Sequence, residues 1–187
     1  ANPQFSHPVD VDVRKQISTS SIHERLIDVG DVPVEGLGYQ AACAAIYKAI
    51  TSVRHRSAAS IVLSGDVRAV KTIVLAQSRN ETLGFIQFGG RTPPSLFDAN
   101  NTEQTFVGEL VREGALEPSR IAMIAPARSS SRELASQLRH RGGHLISTNQ
   151  ATLLTVDDFE PVFSSISREA DSLVVQLDLS AIASSLH

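Results

Sequence analysis

The chain has 187 residues, 17 Lys and Arg against 20 Asp and Glu, a formal charge of −3 and 42% apolar residues. That composition is globular and excludes a collagen, a coiled coil and a disordered tail; the slight negative charge argues against a nucleic-acid binder, which would carry a basic stripe. No apolar run approaches the ~20 residues of a membrane helix, no secretory leader is expected, and the length suits one core-forming domain.

Residues 1–25 mix Pro, Asp and polar side chains without a period and read as an irregular arm, leaving 26–187 as the domain. A short β-type run at 26–29 ends in Gly30. Ala42, Ala45, Ile46, Ala49, Ile50 and Val53 recur at helical spacing, so 39–53 is expected to be a helix. An apolar strand run at 60–63 is followed by a helix at 67–77 and a strand at 83–88 that closes on Gly89 and Gly90. Pro93 and Pro94 make 91–101 a loop. Then come a helix at 105–114, a turn at Glu117-Pro118-Ser119 and a strand at 120–125 cut by Pro126. A helix at 131–141 stops at Gly142-Gly143. A short strand at 144–147, a helix at 155–168 and a nearly all-apolar strand at 172–179 complete the pattern. Strands alternating with helices imply βαβ units and a parallel sheet covered on both faces. The expected fold is a three-layer α/β domain with about six mostly parallel strands, centred on Ile27, Val62, Ile86, Met123, Leu145 and Val175.

In such sheets ligands bind outside the carboxyl ends of the strands. Asp31, Asp66 and Asp178 stand there and could hold a hard cation, although such residues more often cap the next helix. None of His7, His23, His55, His140, His144 and His187 follows a strand run. Gly89-Gly90-Arg91 could hold an anion through backbone amides and a guanidinium, although a glycine turn that redirects the chain is commoner. No dinucleotide or P-loop glycine motif is present, and Ser64 lacks the frame of a nucleophile elbow. Cys43, the one cysteine, is expected to be a buried inert thiol, and its solitude fits a reducing, cytoplasmic compartment. Arg54-His55-Arg56 and Arg139-His140-Arg141 read as solvated helix ends that complement the dipole. Spacing alone yields no catalytic constellation.

A set of ordered fragments resembles the ureohydrolase family of arginase, agmatinase and formimidoylglutamase. Leu26-Ile27-Asp28-Val29-Gly30-Asp31 is similar to that family's D-x-G-D strand end, and Leu63-Ser64-Gly65-Asp66-Val67 stands in place of its G-G-D-H. Gln87-Phe88-Gly89-Gly90-Arg91-Thr92-Pro93 takes the place of H-x-D-A-H-x-D. Thr105-Phe106 and then 113–120 resemble the agmatinase stretch after H-G-x-x-F, and 174–183 lies where S-x-D-x-D is expected. The resemblance runs from about Leu26 to Ser185 and implies an arginase-like fold.

The departures from the family pattern bear on function. The resemblance implies two manganese ions held at positions that here read Val67, Gly89, Arg91, Pro93, Asp178 and Ser180, of which Asp178 alone is a ligand. Val, Gly and Pro offer no donor, and Arg91 is a fixed cation where a dication would lie. Gln87 replaces the substrate-side His. Without metal there is no bridging hydroxide to attack a guanidinium carbon. The leading expectation is therefore a non-catalytic structural or regulatory subunit with no cofactor and no catalytic residue. One alternative is an active agmatinase-like amidinohydrolase whose manganese site is completed by a partner or lies at other residues. Another is a small-anion-binding module using Asp66, Gln87, Gly90, Arg91 and Asp178. The family's last two strands, which lie inside its sheet, have no counterpart here. The chain is then a fragment, a sheet that has closed up, or one that a partner completes. Expected partners are a second copy or a longer ureohydrolase-like chain, with neither nucleic acid nor membrane.

Overall fold

The computed structural model describes residues 29–54, 62–64, 67–90, 92–97, 106–126 and 131–178. The chain divides into two units, Ala1–Val32 and Pro33–His187, and the architecture below is that of the second. Helix α1 (Tyr39–Arg54) and helix α2 (Val67–Ser78) precede strand β1 (Leu83–Phe88). Helix α3 (Phe106–Arg112), a 3-10 turn (Pro118–Arg120) and strand β2 (Ile121–Ile124) follow. Helix α4 (Arg132–His140), strand β3 (His144–Ile146), the single-turn helix α5 (Thr148–Ala151), helix α6 (Val156–Ser167) and strand β4 (Ser172–Leu177) complete the order.

The four strands form one all-parallel sheet in the order β3-β2-β1-β4. Side chains alternate across it, which creates two apolar layers. Leu83, Phe85, Ile121 and Met123 face Val74 of α2, Leu110 of α3 and Leu134 and Leu138 of α4. Ile86, Ala122 and Ile124 face the other way, onto Ile166, Val162 and Phe163 of α6. Phe85 meets Phe106 edge-on at 6.1 Å between ring centres. Each fully buried side chain of this size is worth roughly 1.5–3 kcal/mol relative to exposure. The two layers of helices on the two faces of the sheet give the expected three-layer α/β fold.

Local chemistry sets the helix ends. Ser131 Oγ accepts from Leu134 N at 3.0 Å, the N-cap arrangement that its place before Arg132 foreshadows. Asp158 accepts from Thr155 N and Thr155 Oγ1, both at 2.7 Å, and this holds its carboxyl below the usual range. Helix α5 was not expected from periodicity, because four residues are too few to show any. Its signal is the Ser147-x-x-Gln150 capping box, in which each side chain meets the other's backbone amide. Lys71 bridges α2 to Glu109 of α3 and to Glu113 just past its end, at 3.3 Å from the latter. Burial disfavours its charge, but the hydrogen bonds to both glutamates outweigh that and raise its pKa.

Two sequence expectations change. Residues 62–64 are not a strand, and Val62 and Leu63 are 45% and 87% exposed. The place beside β1 is already taken, because β2 and β4 hold its two sides. Cys43 is half-buried rather than buried and accepts a hydrogen bond from Thr72 Oγ1 at 3.3 Å. The strand expected around Ile27 and the arm at 1–25 lie outside the described residues.

Candidate functional site at the carboxyl ends of the strands

Parallel strands aim their carboxyl ends at one rim. Here Phe88 and Leu177 are register partners, and the chain leaves them as Gly89-Gly90 and Asp178. The rim is pinned by backbone bonds: Asp178 N donates to Phe88 O at 3.0 Å and Gly89 N to Ile124 O at 2.8 Å. Ala125, just past β2, donates to Ile146 O at 2.8 Å and holds φ +49°, a left-handed conformation that a residue with a Cβ rarely takes. Thr148 Oγ1 closes the neighbouring turn onto Pro126 O at 2.9 Å.

Gly90 also sits at positive φ, +71°, and a Cβ there would lie 2.5 Å from Gln87 Nε2 and 2.9 Å from Asp178 Oδ2. The bare backbone at Gly90 is what lets the Gln87 amide and the Asp178 carboxylate meet at this corner. Gln87 is 98% removed from solvent, and its Oε1 has no hydrogen-bond partner. Gln176, its register partner on β4, has a buried and equally unpaired Oε1. Two adjacent carboxamide oxygens and a carboxylate make this corner rich in acceptors, which is suited to receiving hydrogen-bond donors.

The expected site residues divide as follows. Gln87, Gly89, Gly90 and Asp178 are brought together. Val67 opens α2, and Pro93 is buried in the loop after β1. Asp66, Arg91 and Ser180 lie outside the described residues, and with them the expected Arg91–Asp178 pair. The end of the 60–63 run does not join the sheet: Leu63 is exposed. Gln176 was missed. Its signal was a polar residue inside an apolar strand, two positions before Asp178. Among the described residues no group of three or more His, Cys, Asp or Glu could hold a metal ion, and no helix is long and apolar enough to cross a membrane.

No family model and no curated protein sequence matches the chain. Solved structures do. Proclavaminate amidino hydrolase from Streptomyces clavuligerus matches with a TM-score of 0.63 at 14% identity, over 82% of this chain and 52% of that one. Formimidoylglutamase from Bacillus subtilis matches with a TM-score of 0.65 at 14% identity, over 82% and 50%. An arginase from Bacillus subtilis matches with a TM-score of 0.64 at 14% identity, over 90% and 64%. This is the ureohydrolase fold. The chain spans about half the length of the first structures it matches. The fit of manganese to this version of the ureohydrolase fold is poor on the side chains present. At the positions the resemblance assigns to ligands, Val67, Gly89 and Pro93 carry no lone pair to give, and Gln87 puts a neutral amide beside them.

Proposed function

We propose that the chain is a ureohydrolase-like domain without the dinuclear manganese site, acting as a non-catalytic structural or regulatory subunit. The observation that carries this reading is the donor set at the strand ends. Where the resemblance places metal ligands, the described positions other than Asp178 offer a valine, a glycine and a proline, and among the described residues Asp178 belongs to no group of three or more His, Cys, Asp or Glu. A hard dication needs several oxygen or nitrogen donors at once, and one carboxylate does not supply them. A fold carries no activity by itself, so the amidinohydrolase chemistry of the matched proteins does not transfer with the backbone. The acceptor-rich corner of Gln87, Gln176 and Asp178 also supports a small-anion site less than it supports donors. The partners of such a subunit are a second copy of itself or a longer ureohydrolase-like chain, and a cytoplasmic setting accords with the single cysteine.

The test is elemental analysis of protein purified with excess manganese, run beside a colorimetric assay for urea from arginine and from agmatine. The expected result is well under one manganese per chain and no urea above the protein-free control. About two manganese per chain with urea release would refute the proposal and establish the amidinohydrolase alternative.

A further inference from the structure

The rim opposite the candidate site, where β2 and β3 begin, carries a groove of about 430 Å³ between the 3-10 turn and the end of α4. Glu117, Pro118, Ser119, His140 and Arg141 line it. Two glycines set its walls. Gly142 turns the chain at φ +82°, and a Cβ on Gly143 would lie 2.2 Å from Pro118 O, so bare backbone is what lets the end of α4 fold back against the turn.

The groove offers donors. The Arg141 guanidinium stands 5.2 Å from the centre of the Phe97 ring, which orients its fork without using its N–H groups. The ion pairs among the described residues are Lys71 with Glu109 and Glu113 and Arg120 with Glu117, so Arg141 meets no carboxylate there. The side chains of Ser119 and His140 stand beside it with no hydrogen-bond partner among the described residues. Two features that would repel an anion are already answered. Glu117 is paired with Arg120 Nη1 at 3.3 Å. The last carbonyls of α4 are capped by the glycine turn: Leu138 O accepts from Arg141 N at 3.1 Å and Gly143 N at 2.8 Å, and Arg139 O accepts from Gly142 N at 3.2 Å.

We propose that this groove binds the oxyanion group, carboxylate or phosphate, of a small metabolite. A guanidinium fork matches two oxygens of either group, and the Ser119 hydroxyl and His140 imidazole supply further donors. The volume exceeds that of a bare ion and falls in the range of small-ligand sites, roughly 300–1,000 Å³. The groove lies away from the carboxyl ends of the strands, so the proposal does not rest on the loss of the manganese site.

The experiment titrates the full chain with sodium phosphate and, separately, with sodium acetate at constant ionic strength, read by backbone amide shifts and by Tm. The expected result is saturable one-site binding with shifts at 117–119 and 140–143 and a rising Tm. Arg141→Gln should weaken binding roughly tenfold or more. Arg141→Lys should recover only part of that, because a point charge lacks the fork. Glu117→Gln should tighten binding, because it removes the one carboxylate of the groove and frees Arg120. Arg132→Gln, at the other end of the same helix, should leave it unchanged. Arg141 is exposed, so its variants should melt like the parent without the anion. Binding of either probe with these dependences supports the site, and the tighter one identifies the group. Shifts that never saturate, an adventitious ion only, would overturn the proposal. So would equal losses in Arg141→Gln and Arg132→Gln, which would mark a diffuse charge effect, or weaker binding in Glu117→Gln.

Discussion

Substituting Gly90 by Ala tests whether the corner at the strand ends is as tight as its geometry says. Two costs add. Gly90 holds φ +71°, and an L-residue there pays about 1 kcal/mol relative to glycine. The new Cβ would also lie 2.5 Å from Gln87 Nε2, against an ordinary contact of about 3.5 Å. Gln87 is 2% exposed and has little room to retreat, so overpacking adds about 1–3 kcal/mol. The sum is about 2–4 kcal/mol, or a fall in Tm of roughly 4–16 °C for a domain of this size. Urea unfolding of the parent, Gly90→Ala, Gln87→Ala and the double variant separates the two costs. The double variant removes the clash with Gln87 and keeps both the strain and the 2.9 Å approach to Asp178 Oδ2, so the cycle should show a coupling of up to about 1–3 kcal/mol in favour of the double change. A Gly90→Ala protein within about 0.5 kcal/mol of the parent, or costs that simply add, would refute the account of this corner.

Two further outcomes follow from single residues. Ala125 at φ +49° stores about 1 kcal/mol of backbone strain, while glycine costs about 0.5–1 kcal/mol in chain entropy, so Ala125→Gly should range from neutral to about 0.5 kcal/mol more stable. A loss above about 0.5 kcal/mol in the urea midpoint analysis would contradict this. His144 is half-buried with Nε2 2.8 Å from Ser165 Oγ, and burial lowers its pKa below 6.5. Ser165 Oγ donates to Val162 O at 2.8 Å, which leaves its lone pair to accept from the ring's Nε2. The unfolded chain binds the proton more tightly, so this stability is fully present above pH 6.5 and is lost as pH falls through the lowered folded value. Thermal melting from pH 7.5 down to 5 should therefore fall more steeply for the parent than for His144→Gln; parallel curves would show that the ring is not desolvated.

The sequence alone determined what depends on neighbours along the chain. The alternation of apolar runs with helical periods fixed the class, and four of the six expected strand centres, Ile86, Met123, Leu145 and Val175, lie in the parallel sheet. Ser131 and the paired glycines at 142–143 marked the ends of α4 because caps and left-handed turns are local chemistry. The run at 60–63 has the composition of a strand, yet composition cannot say whether an edge is free to receive it. Only the tertiary structure shows that β4 stands beside β1 and that Val62 and Leu63 are exposed. The site divided in the same way. Gln87, Gly89, Gly90 and Asp178 were legible because strand ends carry sites in parallel folds. That Gln176 stands beside Gln87 was not, because the two are far apart in the chain and only the β1–β4 register makes them neighbours. Pairing between distant strands is a property of the whole packed core, and no local window of sequence contains it.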